Sequence, residues 1–122
     1  MTNICTTDLA ASRDFYVALF DFNIDYDSDW FVHLISKDKQ LELGIIAKAN
    51  ELVPPEFQTN PSGFYITFVV NNADEIFELA QAKGYNILKE PEDTIYGQRR
   101  LLLKDPSGAL VDVSSPIQGF QF

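Results

Sequence analysis

The sequence predicts an α+β fold made of two copies of one module, ordered strand, helix, strand, strand, strand. Three observations carry this expectation. The same order of periodic segments occurs twice. The proposed helix starts, Asp8 and Asn72, lie 64 residues apart, and the proposed helix ends, Asp21 and Gly84, lie 63 apart. A stretch containing Pro54, Pro55, Pro61 and Gly63 separates the copies. The 122 residues then form one domain, with module one at about 1–47, a linker at about 48–63 and module two at about 64–116.

In the first module Asp8 is a good N-cap. The following "LAASRDFYVALF" puts Ala11, Phe15, Ala18, Leu19 and Phe22 at helical spacing. The helix should stop near Asp21, which tolerates a left-handed cap. "FNIDYD", "WFVHLIS" and "LELGIIA" read as strands. In the second module "FYITFVV" is a strand with Phe64, Ile66, Phe68 and Val70 on one face. Asn72 caps "ADEIFELAQAK", whose apolar stripe is Ala73, Ile76, Phe77 and Ala80, and Gly84 ends it. "YNILKE", "QRRLLLK" and "ALVDVSS" complete the module as strands.

Bulk properties narrow the function. Hydrophobic content of 46% suffices for an ordinary core, and no apolar run reaches membrane-spanning length. The start "MTNICTTDLAAS" lacks a secretory pattern. A single cysteine, Cys5, excludes an internal disulfide, fits a reducing cytoplasm and reads as a small packed side chain. The net charge of −9 argues against nucleic acid and anionic membranes as partners.

Two carboxylates stand out. Asp112 lies between valines in "ALVDVSS", and Glu42 lies between leucines in "LELG". Asp is poor in strands and costly to bury unpaired. The repeat suggests that the two occupy equivalent places in the two modules.

The stretches "DLAASRDFYVALFDF", "LELG", "ADEIFELAQAKGY", "EPEDTIYGQRR" and "DPSGALVDV" cover nearly the whole chain in order. Together they resemble the vicinal oxygen chelate superfamily, which includes glyoxalase I, extradiol dioxygenases and bleomycin-resistance proteins. The resemblance implies two βαβββ modules whose half-open sheets surround a cleft. It also implies a homodimer, which would cover open edges and apolar faces. In metal-using relatives His and Glu on the first and last strands of each module hold a divalent ion. Those positions fall here at Met1, Glu42, Tyr65 and Asp112. A thioether and a phenol are poor substitutes for histidine. The expectation is therefore no metal and no cofactor, with the carboxylates kept as the polar floor of a ligand cleft.

Other signals are weaker. "DYDSDW" begins like a calcium loop, but Trp30 and Ser36 stand where Gly and Glu are needed, so a hairpin with solvated charges is the better account. His33, the one histidine, has no nucleophile at a suggestive spacing and reads as a packed or solvent-facing strand residue. Alternation sends one of Arg99 and Arg100 toward the cleft and the other to the opposite face. Trp30, Phe57, Tyr65, Tyr96, Phe120 and Phe122 fall off the core stripes, and such rings either suit a planar, partly cationic ligand or fill a sheet-to-sheet or dimer interface.

The leading functional expectation is a metal-independent binding protein like the bleomycin-resistance proteins, sequestering a cationic aromatic drug such as a bleomycin-type antibiotic. Glu42, Asp112, Tyr65, Trp30, Phe57 and Arg100 form its ligand-binding set, with no catalytic residue. The rivals are a superfamily enzyme, a lyase, isomerase or dioxygenase using Glu42 and Asp112 with a divalent metal or as a base, and a binding module for a metabolite unconnected with resistance.

Overall fold

A computed structural model describes residues 1–117. The chain divides into two compact units, residues 1–62 with 106–108, and residues 63–105 with the segment from Ala109. Phe120 and Phe122 lie outside the described residues.

The first unit contains β1 (Thr2–Thr6), α1 (Leu9–Phe20), β2 (Asn23–Asp27), β3 (Phe31–Ile35) and β4 (Glu42–Ala47). Its four-stranded sheet has the order β1-β4-β3-β2, parallel between β1 and β4 and antiparallel elsewhere. The Asp8 side chain accepts from the Ala11 amide at 3.0 Å and starts α1, and Asp21 ends it with φ 57°. The buried stripe is Ser12, Phe15, Tyr16 and Leu19, so Ser12 and Tyr16 replace the expected Ala11 and Ala18. Small Ser12 lets its hydroxyl meet that of Thr6 at 2.8 Å, which ties the helix to the end of β1. Against this stripe the sheet buries Ile4, Val32, Leu34, Leu43 and Ile45. Each such side chain contributes about 1.5–3 kcal/mol of transfer free energy.

The second unit repeats the plan with β5 (Tyr65–Val69), α2 (Ala73–Ala82), β6 (Asn86–Asp93), β7 (Gln98–Lys104) and β8 (Leu110–Pro116). Its sheet order is β5-β8-β7-β6, again with one parallel pair, β5 with β8. Asn72 accepts from the amides of Asp74 and Glu75, while the Ser115 hydroxyl accepts from the buried Ala73 amide at 3.1 Å. Leu101, Leu103, Val111 and Val113 are fully buried together with Ala73 and Ala80 of α2. β6 runs past the expected end at Glu90 through Pro91 to Asp93. Proline is tolerated there because β6 is an edge strand whose register shifts between Lys89 and Glu92.

Within the proposed linker, Pro55–Phe57 forms a single 3-10 turn and Val53 is buried. Among the described residues no helix is long and apolar enough to cross a membrane.

Alternation leaves each sheet a second face, opposite its helix. In the first unit that face carries Asn3, Cys5, Phe31, His33, Glu42, Gly44 and Ile46. In the second it carries Tyr65, Thr67, Val69, Gln98, Arg100, Asp112 and Ser114.

Candidate functional site

Asp112 is 6% exposed and sits in β8 opposite Thr67 of β5 and Leu102 of β7. Three neighbours donate to its carboxylate. Oδ2 accepts from Thr67 Oγ1 at 2.9 Å. Oδ1 accepts from Arg100 Nε at 3.0 Å and from Ser114 Oγ at 3.1 Å. The three donors come from β5, β7 and β8, so the pairing order of the strands assembles this cluster. The Arg100 guanidinium also lies 6.0 Å from the centre of the Tyr65 ring, within cation–π range. Arg99 points the other way, to Asp74 of α2 at 2.8 Å and Asp93 of β6 at 3.0 Å, and these bonds push its guanidinium pKa up. The alternation expected of the two arginines thus separates a helix anchor from a cavity-lining residue.

Tyr65, Thr67, Val69, Tyr96, Gln98, Arg100, Asp112 and Ser114 line a cavity of about 500 Å³ in this unit. Gln98 Oε1 is buried there with no hydrogen-bond partner among the described residues. The first unit has an apolar cavity of about 470 Å³, bounded by Trp30, Phe31, Ile46, Leu52, Val53, Pro54, Met1, Asn3 and Cys5. Cys5 is partly exposed on this wall rather than packed away.

Glu42 behaves differently from Asp112. Its side chain is 50% exposed, and Oε1 lies 2.9 Å from His33 Nε2. His33 Nδ1 lies 2.8 Å from Asp25 Oδ2. Ionised carboxylates only accept, so the doubly protonated imidazole, which donates from both nitrogens, is the form this bridge favours. The Asp25 bond is the largest cause of the upward pKa shift; burial opposes it, and Glu42 adds to it. Sequence reasoning missed His33 because its partners come from two other strands, at separations of 8 and 9 residues. The alternating "DYD" was the available signal: Asp25 serves His33, and Asp27 takes Arg13 Nη1 at 2.9 Å.

The expected equivalence of Glu42 and Asp112 does not hold. Ile4 pairs with Ile45, and its repeat counterpart Phe68 pairs with Val113. The counterpart of Asp112 is therefore Gly44, and that of Glu42 is Leu110. A Cβ at Gly44 would collide with the Asn3 side-chain oxygen and approach Phe31 Cε2 at 3.1 Å, so a carboxylate here would require both side chains to shift. Of the predicted set, Tyr65, Arg100 and Asp112 come together in the second unit. Trp30 lines the first unit's cavity, while Glu42 and the 64% exposed Phe57 line neither of these two cavities.

A model of the Glyoxalase/Bleomycin resistance protein/Dioxygenase superfamily matches residues 1–113. The chain belongs to this superfamily. No protein of curated function matches it. Among solved structures it is similar to a glyoxalase/bleomycin resistance protein/dioxygenase family enzyme from Burkholderia phytofirmans PsJN, with 28% identity and a TM-score of 0.78 over 94% of this chain and 95% of that one. TioX from Micromonospora sp. ML1 shares the fold at 17% identity and a TM-score of 0.70, covering 99% of this chain and 98% of its own. The genomically encoded fosfomycin resistance protein FosX from Listeria monocytogenes shares it at 16% identity and a TM-score of 0.73, covering 96% and 91%.

The superfamily's divalent ion does not fit the residues present. At the inferred ligand positions, Asp112 already has three donors, one of them a guanidinium that repels a second cation. Glu42 is bonded to His33, and Met1 and Tyr65 supply a thioether and a phenol. Asp25, His33 and Glu42 cannot chelate one ion together in this arrangement, because the imidazole stands between the carboxylates. Among the described residues no group of three or more His, Cys, Asp or Glu side chains could hold a metal.

Two predictions follow from these environments. His33 should titrate above about 6.5, its usual value. A raised folded-state pKa gives stability that is fully present below the unfolded value and lost as pH rises through the folded one. Wild-type stability should thus fall relative to His33→Gln as pH increases from about 6 to 8, by at most about 1 kcal/mol for so exposed a bridge. NMR titration and urea melts measure both, and a midpoint at or below about 6.5 would contradict the bridge. Separately, Asp112→Asn should cost about 1–3 kcal/mol, because it weakens a charge-assisted network in a buried place. Glu42→Gln should stay within about 0.5 kcal/mol. Equal losses in urea denaturation would contradict the assigned environments.

Proposed function

We propose that this protein is a metal-independent small-molecule binding protein that captures its ligand in the second unit's cavity and performs no chemistry on it. The observation that carries this reading is the Arg100–Asp112 pair. It satisfies the carboxylate internally and turns the position into a fixed recognition surface beside Tyr65 and Tyr96. The cavity's volume lies within the range of about 300–1,000 Å³ usual for ligand sites. Sequestration of a cationic aromatic drug called for free carboxylates at Glu42 and Asp112, and both are already matched by His33 and Arg100. The proposal therefore keeps capture and does not require a cationic ligand. The same bonds argue against either carboxylate as a general base in an enzyme. Open sheet edges and the exposed side chains of Val69, Leu88 and Ile95 support a homodimer as the working form.

A thermal-shift screen of small aromatic metabolites and antibiotics, run with and without EDTA, tests the reading. A ligand at about 100 times its Kd stabilises the folded state by about 2.7 kcal/mol. The expected shift is the same in both conditions and is reduced in Tyr65→Ala. A shift that disappears with EDTA and returns with one divalent ion would contradict metal independence.

A further inference from the structure

We infer that the second unit's cavity is built for a planar carboxylate, an aromatic or conjugated acid; this rests on the reading of that cavity as the ligand site. The argument begins with hydrogen-bond capacity. Asp112, the carboxylate of the cavity wall, is 6% exposed and receives Thr67, Ser114 and Arg100. It has little left to offer an incoming cation, which would meet the guanidinium beside it.

Beside Gln98 Oε1, an acceptor without a partner among the described residues, donors remain. Arg100 uses Nε on Asp112, and its two terminal nitrogens have no hydrogen-bond partner among the described residues. The Arg100 side chain is 30% exposed, so this edge is reachable. Two parallel N–H groups on a rigid plane match the two oxygens of a carboxylate. The Asp112 bond and the Tyr65 ring hold the plane in place before a ligand arrives, which lowers the ordering cost of binding.

The rest of the ligand is specified by the rings. Tyr65 is 53% exposed and Tyr96 50% exposed, and both line the cavity. Half-exposed aromatic rings suit a flat, conjugated body attached to the acid. The chain's net charge of −9 repels anions at long range. That repulsion is largely screened beyond about 8 Å at physiological salt, whereas the guanidinium contact acts at under about 3 Å.

The test uses three probes of one shape: 2-naphthoate, 2-naphthamide and 2-naphthamidine. Each is titrated into the full chain while backbone amide and arginine Nε–H resonances are followed. Naphthoate should saturate with shifts at Arg100, Gln98 and Ser114, and bind about tenfold or more tightly than the amide. The amidine should bind no better than the amide. Arg100→Lys keeps the charge but removes the fork, so it should weaken naphthoate binding more than amide binding while the spectrum stays folded. Amidine binding tighter than naphthoate at these residues would overturn the acid assignment while leaving the cavity a ligand site. No shift at these residues with any probe would overturn both.

Discussion

Asp112 stands in the middle of β8 at 6% exposure, where an unmatched carboxylate would cost several kcal/mol. It is tolerated because three strands bring it donors: Thr67 from β5, Arg100 from β7 and Ser114 from its own strand. The helix-side core makes this possible. Leu101, Leu103, Val111 and Val113 fix β7 against β8, and that register sets Arg100 beside Ser114 and within reach of Asp112. Arg100 and Tyr65 then both line the second unit's cavity.

The two units show how one plan diverges. Both use a parallel first and last strand, a capped helix and a hydroxyl anchor between helix and sheet, Ser12 to Thr6 in one and Ser115 to Ala73 in the other. On the opposite face the chemistry differs. Where the second unit has Asp112 the first has Gly44, crowded by Asn3 and Phe31. The first unit's charged cluster instead spans β2, β3 and β4, as Asp25, His33 and Glu42, and its apolar cavity is bounded by Trp30 and Phe31.

Helix caps and strand periodicity were legible in the sequence because they are local. Asp8, Asp21 and Asn72 perform the roles their side chains suggest, and β7 covers the predicted "QRRLLLK". Pairing partners were not legible. Spacing to the helix start aligned Tyr65 with Met1, but it could not show that Thr67 is the register partner of Asp112. Nor could it show that Glu42 lies out of step with Asp112, since loop lengths differ between the modules. His33 was passed over for the same reason: its meaning lies in two carboxylates on neighbouring strands. Phe57, an aromatic off the core stripes, lies exposed on a 3-10 turn.

The central claim is that Asp112 is matched by Arg100 rather than reserved for a metal. A double-mutant cycle measures this directly, with urea denaturation of the wild type, Arg100→Met, Asp112→Leu and the double variant in metal-free buffer. The pair predicts a coupling energy of about 1.5–3 kcal/mol, with the double variant more stable than the sum of the single losses implies. A coupling below about 0.5 kcal/mol would contradict the pairing on which this account of the site depends.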